Sequence, residues 1–269
     1  MKKVPSDFLS ESQSIEPPEE FIHFAQTLAD AARPIAHKYF RTPLLVDHKA
    51  DASPVTVADR TIEATLRDLI AARYPNHSIM GEEMGGDTSS EFSWVIDPID
   101  GTKSFICGMP IFGTLIALLH HGTPILGIID MPILNERWIG TNTSATLQGR
   151  KISTSGLTEL CDARLFTTSP DMFADSDREA FERLSAAVGL RRFGGDCYIY
   201  GLLAAGHCDL VVEANLHTYD IMALIPVVEG AGGVMRTWSG DLLSANFGGR
   251  VVAAATPELL EQALAWLKY

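Results

Sequence analysis

The run Trp94-Val95-Ile96-Asp97-Pro98-Ile99-Asp100-Gly101-Thr102-Lys103-Ser104-Phe105 carries the densest information in this 269-residue chain. An apolar stretch, Trp94–Ile96, has the composition of a strand and runs straight into two aspartates three residues apart. Pro98 favours the start of a tight turn, and a turn brings residues i and i+3 together. The spacing therefore predicts that the Asp97 and Asp100 carboxylates converge. Two unpaired anions side by side are costly, so a site holding both in ionised form needs cations. All-oxygen donors with no His or Cys beside them suit hard Mg²⁺ rather than Zn²⁺. Gly101 lets the backbone approach a ligand closely, and the N–H groups of Gly101 and Thr102 can hold a phosphate oxygen. A lone Asp-x-x-Asp is more often an Asx-turn capping backbone N–H groups, so the reading needs support from elsewhere in the chain.

Three segments supply it. Gly81-Glu82-Glu83-Met84-Gly85-Gly86 is an anionic loop with glycines on both sides, and taken alone it reads first as a solvated surface turn. Tyr219-Asp220-Ile221-Met222-Ala223-Leu224 places an acid at the mouth of an apolar helix that ends in Glu229-Gly230-Ala231-Gly232-Gly233. Asp220 is there a helix N-cap or a further ligand. Thr56-Val57-Ala58-Asp59 has the spacing of a capping box at the start of a second helix.

Around these segments the chain has ordinary globular composition, with 46% hydrophobic and 20% charged residues. A formal net charge of −13 argues against a nucleic-acid-binding surface, which needs clustered Lys and Arg. It does not argue against a small phosphorylated ligand, because bound metal ions reverse the local field. No apolar run is long enough to span a bilayer, and the N-terminus lacks the apolar core of a secretory signal. Four scattered cysteines without a C-x-x-C pair fit reduced thiols in a cytoplasmic protein.

Residues 1–16 are expected to form a mobile N-terminal segment. Residues 17–150 are expected as an N-terminal α+β half with the metal-binding loops, and 151–269 as a C-terminal α/β half closing the site. Phe21, Phe24, Leu28, Ala31, Ile35 and Tyr39 recur at helical spacing, with Pro34 as a candidate kink. A second helix from Thr56 presents Ile62, Leu66, Leu69 and Ile70 inward and stops at Tyr74-Pro75. Strands are expected at Trp94–Ile96, Phe112–Leu119, Ile125–Ile129 and Arg137–Ile139. The second half reads as strand Ala163–Thr168, helix Arg178–Val188, helix Tyr198–Ala205, strand Asp209–Glu213, helix Ile221–Glu229, strand Val251–Ala254 and helix Pro257–Leu267. Helices flanking sheets in this order predict an α/β (α+β) layered sandwich.

The four acidic segments, in this order and spacing, resemble the inositol monophosphatase family of Mg²⁺-dependent phosphatases. Trp94–Thr102 matches the family motif W-x-[IV]-D-P-[IL]-D-G-T throughout. Asp220 with Glu229–Gly233 matches the second motif, and the G-E-E loop and V-T-x-x-D helix start are present too. The resemblance spans about residues 20–260. It implies that Glu82, Asp97, the Ile99 carbonyl, Asp100 and Asp220 hold Mg²⁺, two or three ions per site. It further implies that Thr102 and Glu82 orient a water, with Asp59 supporting Thr102, and that the Gly101 and Thr102 N–H groups hold the phosphate. A homodimer is implied as well. The implied chemistry is physically coherent: divalent ions acidify water and neutralise an in-line displacement at phosphorus.

One departure bears on the substrate. Where inositol monophosphatases carry G-[ST]-A-A, this chain has Gly194-Gly195-Asp196-Cys197-Tyr198. The run G-G-D-C-Y-x-Y-G-L-L-A-x-G is similar to the histidinol-phosphate phosphatase branch. Asp196 thereby adds an acid beside Glu213, which occupies a family substrate-contact position. Two acids facing a leaving group suit a ligand with an ammonium and an imidazole rather than a neutral polyol. Asp196 also reads as an N-cap for the helix that follows it. The resemblance thus implies hydrolysis of L-histidinol phosphate in histidine biosynthesis, with inositol 1-phosphate or another small sugar phosphate as the nearest alternative. Trp138, Tyr198 and Phe193 are candidate ring-stacking residues, although isolated aromatics more often belong to a core. Arg191-Arg192 is a solvated pair or a phosphate contact, and His217 is the histidine nearest the site in sequence.

Overall fold

The computed structural model describes residues 16–43, 46–48 and 54–268. The mobile segment expected at 1–16 lies, except for Glu16, outside the described residues.

Helix α1 (Glu19–Tyr39) and the short hairpin β1 (Val46–His48) and β2 (Pro54–Thr56) lead into α2 (Val57–Arg73). Next come β3 (Ser78–Gly81), β4 (Gly85–Gly86), β5 (Phe92–Asp100), α3 (Thr102–Ile106), β6 (Gly113–His120), β7 (Thr123–Met131), β8 (Glu136–Thr141), β9 (Ala145–Leu147) and β10 (Arg150–Lys151). The remaining elements are β11 (Arg164–Thr167), α4 (Asp175–Ser185), β12 (Leu190–Phe193), α5 (Tyr198–Ala204), β13 (Leu210–Glu213), α6 (Thr218–Ile221), α7 (Leu224–Gly230), β14 (Val234–Thr237), β15 (Val251–Ala254) and α8 (Pro257–Leu267).

Two sheets organise five layers. The larger sheet has the order β10-β9-β8-β7-β6-β5-β3-β4, the smaller β12-β11-β13-β15-β14. Strand alternation sends Trp94, Ile96, Ile116, Leu118, Leu126 and Ile128 to one face, where α1 and α2 cover them. It sends Val95, Leu115, Ala117, Ile129 and Met131 to the other face, against α5, α6 and α7. The same middle layer meets Val211, Val251 and Ala253 of the smaller sheet. Beyond that sheet, Leu210, Val212, Val252 and Ala254 pack against α4 and α8. The layered α/β sandwich expected from the sequence is the fold of this chain.

Several local expectations change. The fully buried side of α1 is Phe21, Ala25, Leu28, Ala29, Ala32 and Ala36; Phe24, Ala31, Ile35 and Tyr39 flank it half-buried. Small alanines let the helix approach the sheet closely, so they take the centre of the face. Pro34 lies within a continuous helical span. The helix expected at Ile221–Glu229 divides into α6 and α7 at Met222–Ala223. Pro226 explains the break, since it offers no N–H to Met222 and its ring crowds that carbonyl. The gap lets α7 settle onto the larger sheet, where a Cβ on Gly127 would stand 2.0 Å from the Ala223 oxygen, and one on Gly140 2.3 Å from the Pro226 oxygen. Only glycine fits at those two crossings.

Candidate active site

The acidic pair sits at the end of β5, but no tight turn joins it. β5 stays extended to Asp100 and bulges against β6: Asp97 faces Leu115 and Asp100 faces Gly113. Residues three apart on a regular strand point to opposite faces. The extra residue in the bulge restores the parity, so both aspartates share the face that Val95 presents to the middle layer. The expected convergence is achieved by a bulge rather than by the turn.

Parallel pairing of β3 with β5 sets Gly81 opposite Ile96, and the Glu82 N–H donates to the Ile96 oxygen at 3.2 Å. Glu82 is thereby beside Asp97 and acts on it electrostatically. Asp220 arrives from α6, where it is the third residue of a capping box headed by His217. Its Oδ2 accepts from the His217 N–H at 2.6 Å. Asp97, Asp100 and Asp220 bring one carboxylate oxygen each to within 4.8 Å of one another.

This crowding is costly without a cation. Burial first, then Glu82, Asp100 and Asp220, push the Asp97 carboxyl well above the usual carboxylate range. Asp100 is pushed up by burial and then by Asp196 and Asp220, against an N–H from Cys197 at 2.6 Å. The donor set fits Mg²⁺: several hard oxygens converge, and the one nearby thiol is withheld. Cys197 Sγ points to Met131 Sδ at 3.9 Å in the core, and burial followed by Asp100 raises its pKa strongly.

Around the cluster, Thr102 Oγ1 lies 3.1 Å from the Ile99 oxygen and 3.4 Å from Asp59 Oδ1. Asp59 keeps its capping box as well, since Oδ2 accepts from the Thr56 N–H at 2.9 Å and from Thr56 Oγ1 at 2.6 Å. Burial raises its pKa. Gly101 adopts φ +85°, and a Cβ there would meet the Asp196 carboxylate at 2.8 Å. Asp196 is no helix cap: α5 has no side-chain cap, and Asp196 Oδ2 accepts from Ser104 Oγ at 2.6 Å. Glu213 is buried and accepts from the Thr168 N–H and from Tyr200 Oη, each at 2.8 Å. Burial raises the pKa of both acids. A cavity of about 120 Å³ is lined by Asp100, Asp196, Glu213, Asp220 and Tyr200 among others, and among the described residues by no Lys or Arg.

The aromatic candidates are placed elsewhere. Trp138 is buried in the core with Tyr198 edge-on at 5.7 Å, and Phe193 is exposed on β12. Arg191 pairs with Glu182 and Ser185 Oγ, and His217 stacks on Tyr219. The aromatic ring at the cavity is Tyr200, two residues beyond the tyrosine singled out in the sequence. Glu63 is also absent from the sequence reading. It is fully buried on α2 and accepts from the N–H groups of Glu83 at 2.7 Å and Met84 at 3.0 Å, and from Arg67 Nε at 2.8 Å. Its signal was its spacing, one turn beyond Asp59 with Arg67 at i+4. Glu63→Ala is expected to leave these loop N–H groups and Arg67 without their acceptor, lowering stability by about 3 kcal/mol. The same change should raise the Mg²⁺ concentration needed for half-maximal activity. A urea titration and a Mg²⁺ titration check both effects; an unchanged Mg²⁺ requirement would confine Glu63 to a purely structural role.

A layered α/β sandwich whose strand-end carboxylates converge in a cleft is the architecture of a metal-dependent phosphatase. The chain belongs to the inositol monophosphatase family, whose model matches residues 18–268. It is 45% identical to "Bifunctional phosphatase IMPL2, chloroplastic" of Arabidopsis thaliana over 93% of this chain and 76% of that protein. It is 37% identical to "Histidinol-phosphatase" of Mycobacterium tuberculosis, over 85% of this chain and 91% of that one. Among solved structures, an inositol monophosphatase from Zymomonas mobilis superposes with a TM-score of 0.86. The two are 45% identical over 93% of this chain and 98% of that chain. The chain is a phosphatase of a generally Mg²⁺-dependent family. No helix among the described residues is long and apolar enough to cross a membrane.

Proposed function

We propose that this phosphatase hydrolyses L-histidinol phosphate to L-histidinol and phosphate, a step of histidine biosynthesis in the cytoplasm. The observation that carries the reading is the cavity wall. Asp196 and Glu213 face the same small space as Asp100 and Asp220, with no basic residue among the described residues of the lining. An ammonium and an imidazole on the leaving group offset those acids; a neutral inositol ring does not. The related histidinol-phosphatases support the same substrate.

In this reading Glu82, Asp97, the Ile99 carbonyl, Asp100 and Asp220 hold two or three Mg²⁺ ions. Bound there, Mg²⁺ supplies acidified water and positive charge for the phosphoryl oxygens. Gly101 and Thr102 present their N–H groups to the phosphoryl group, and the left-handed backbone at Gly101 aims them. Thr102 Oγ1, within reach of Asp59, orients the attacking water together with Glu82. Asp196 and Glu213 bind the cationic leaving group and fix its direction of departure. We include a homodimer in the proposal, to be checked by light scattering of the purified protein.

A panel of phosphomonoesters with Mg²⁺, compared by kcat/KM, tests the substrate. Histidinol phosphate should exceed inositol 1-phosphate by at least about a hundredfold, roughly 2.7 kcal/mol. Equal rates on the two would defeat the assignment in favour of a general sugar-phosphate phosphatase. Thr102→Val should lower kcat about 10- to 100-fold with little change in KM, because the lost interaction acts mainly in the transition state. A raised KM at unchanged kcat would make Thr102 a substrate-binding group only.

A further inference from the structure

Far from the acidic cluster, the β6–β7 hairpin holds a second group of metal-ligand side chains. Glu91 immediately precedes β5, His120 ends β6 and His121 begins the turn. Each offers one ligand atom, and the three atoms lie within 4.8 Å of one another. Glu91 is six residues before Asp97 along an extended strand, so the group stands about 20 Å from the catalytic aspartates.

The backbone builds the group. Phe92 pairs with His120 across the strands, and the His121 N–H extends the ladder by donating to the Glu91 oxygen at 2.8 Å. Adjacent residues on a strand point their side chains to opposite faces. His121 escapes that rule with φ +48°, a left-handed conformation that non-glycine residues adopt rarely. Its ring then lies with that of His120, centroids 4.4 Å apart. The His120 ring packs on Phe92 at 4.7 Å, and its Nε2 is 3.5 Å from Glu91 Oε1. Glu91 and His121 are exposed, which leaves further coordination positions open to water.

We propose that Glu91, His120 and His121 form a second divalent-metal site, selective for borderline transition ions of the Zn²⁺ class. Two imidazole nitrogens and one carboxylate are donors that such ions prefer, whereas Mg²⁺ and Ca²⁺ seek oxygen alone. The ion ties the hairpin tip to the start of β5 and stabilises the folded chain in proportion to its occupancy. The site is independent of the substrate reading.

Calorimetric titration of the intact protein with Zn²⁺, in saturating Mg²⁺, tests the proposal. The expected result is a Zn²⁺-binding event in wild type, retained in Asp97→Asn, with a rise in thermal midpoint. His121→Gly removes a ligand while suiting the left-handed backbone, so the fold is preserved. That variant, and Glu91→Gln, should bind Zn²⁺ at least about tenfold more weakly, as loss of a ligand requires. Unchanged Zn²⁺ affinity in both variants, or a Zn²⁺ event lost only in Asp97→Asn, would overturn the site.

Discussion

Asp97→Asn is expected to reduce Mg²⁺-dependent turnover at least about a thousandfold, equivalent to about 4 kcal/mol, while making the metal-free protein more stable. The two effects share one cause. Asp97 is 1% exposed, and Glu82, Asp100 and Asp220 all act to keep its carboxyl protonated. Asparagine keeps the shape and can still accept the Ile99 N–H bond that Oδ1 now accepts at 3.1 Å. Removing one buried anion relieves the repulsion on its neighbours. In the proposed metal shell, removing it also withdraws charge and a ligand from the bound cation. The thermal midpoint in chelator should therefore rise above that of wild type, and the further rise on adding Mg²⁺ should shrink. Near-normal Mg²⁺-dependent turnover in a folded Asp97→Asn protein would remove Asp97 from the metal shell.

Asp196→Asn should lower kcat/KM for histidinol phosphate by at least about thirtyfold. Truncating one side of a buried charged pair typically costs about 2–5 kcal/mol. Cleavage of an aryl phosphate should fall less than about threefold, since the metal ligands are untouched. Asparagine is the informative choice because Asp196 has φ +46° and its carboxylate accepts from Ser104 Oγ. Asparagine tolerates that backbone and preserves the acceptor, so only charge is lost. Alanine would add backbone strain and mix stability with recognition. A uniform loss across both substrates would defeat the role given to Asp196.

Much of the site was legible because its residue types carry their chemistry in short segments. Asp97, Asp100, Gly101 and Thr102 fall within six consecutive residues, and the capping box at Thr56 and Asp59 is visible from spacing alone. The geometry was less legible. The same Asp-Pro-Ile-Asp run supports a turn or a bulged strand, and only pairing with Gly113–Leu115 selects the bulge. Tyr200 and Trp138 could not be ranked by composition, since both are large and aromatic. Burial against Gly201, where a Cβ would stand 2.8 Å from the Trp138 ring, commits that tryptophan to the core. Glu63 was overlooked because an acid on a helix reads as solvated until the loop it binds is seen.

By itself, the sequence determined the amphipathic character of the first two helices, the apolar strands and the donor chemistry of the acidic segments, all set by local spacing and side-chain type. It also marked Asp196 as the point where this chain departs from the G-[ST]-A-A pattern of inositol monophosphatases, the departure on which the proposed substrate rests. Tertiary structure alone decided which of these residues meet. Asp220 reaches Asp97 and Asp100 across more than a hundred residues because the break at Pro226 lets α7 settle on Gly127 and Gly140. Asp196 approaches Gly101 because the middle helical layer is clamped between two sheets. Local sequence has no term for such meetings, since they are set by close packing between layers, where a single Cβ or one extra residue in a strand changes which side chains face each other.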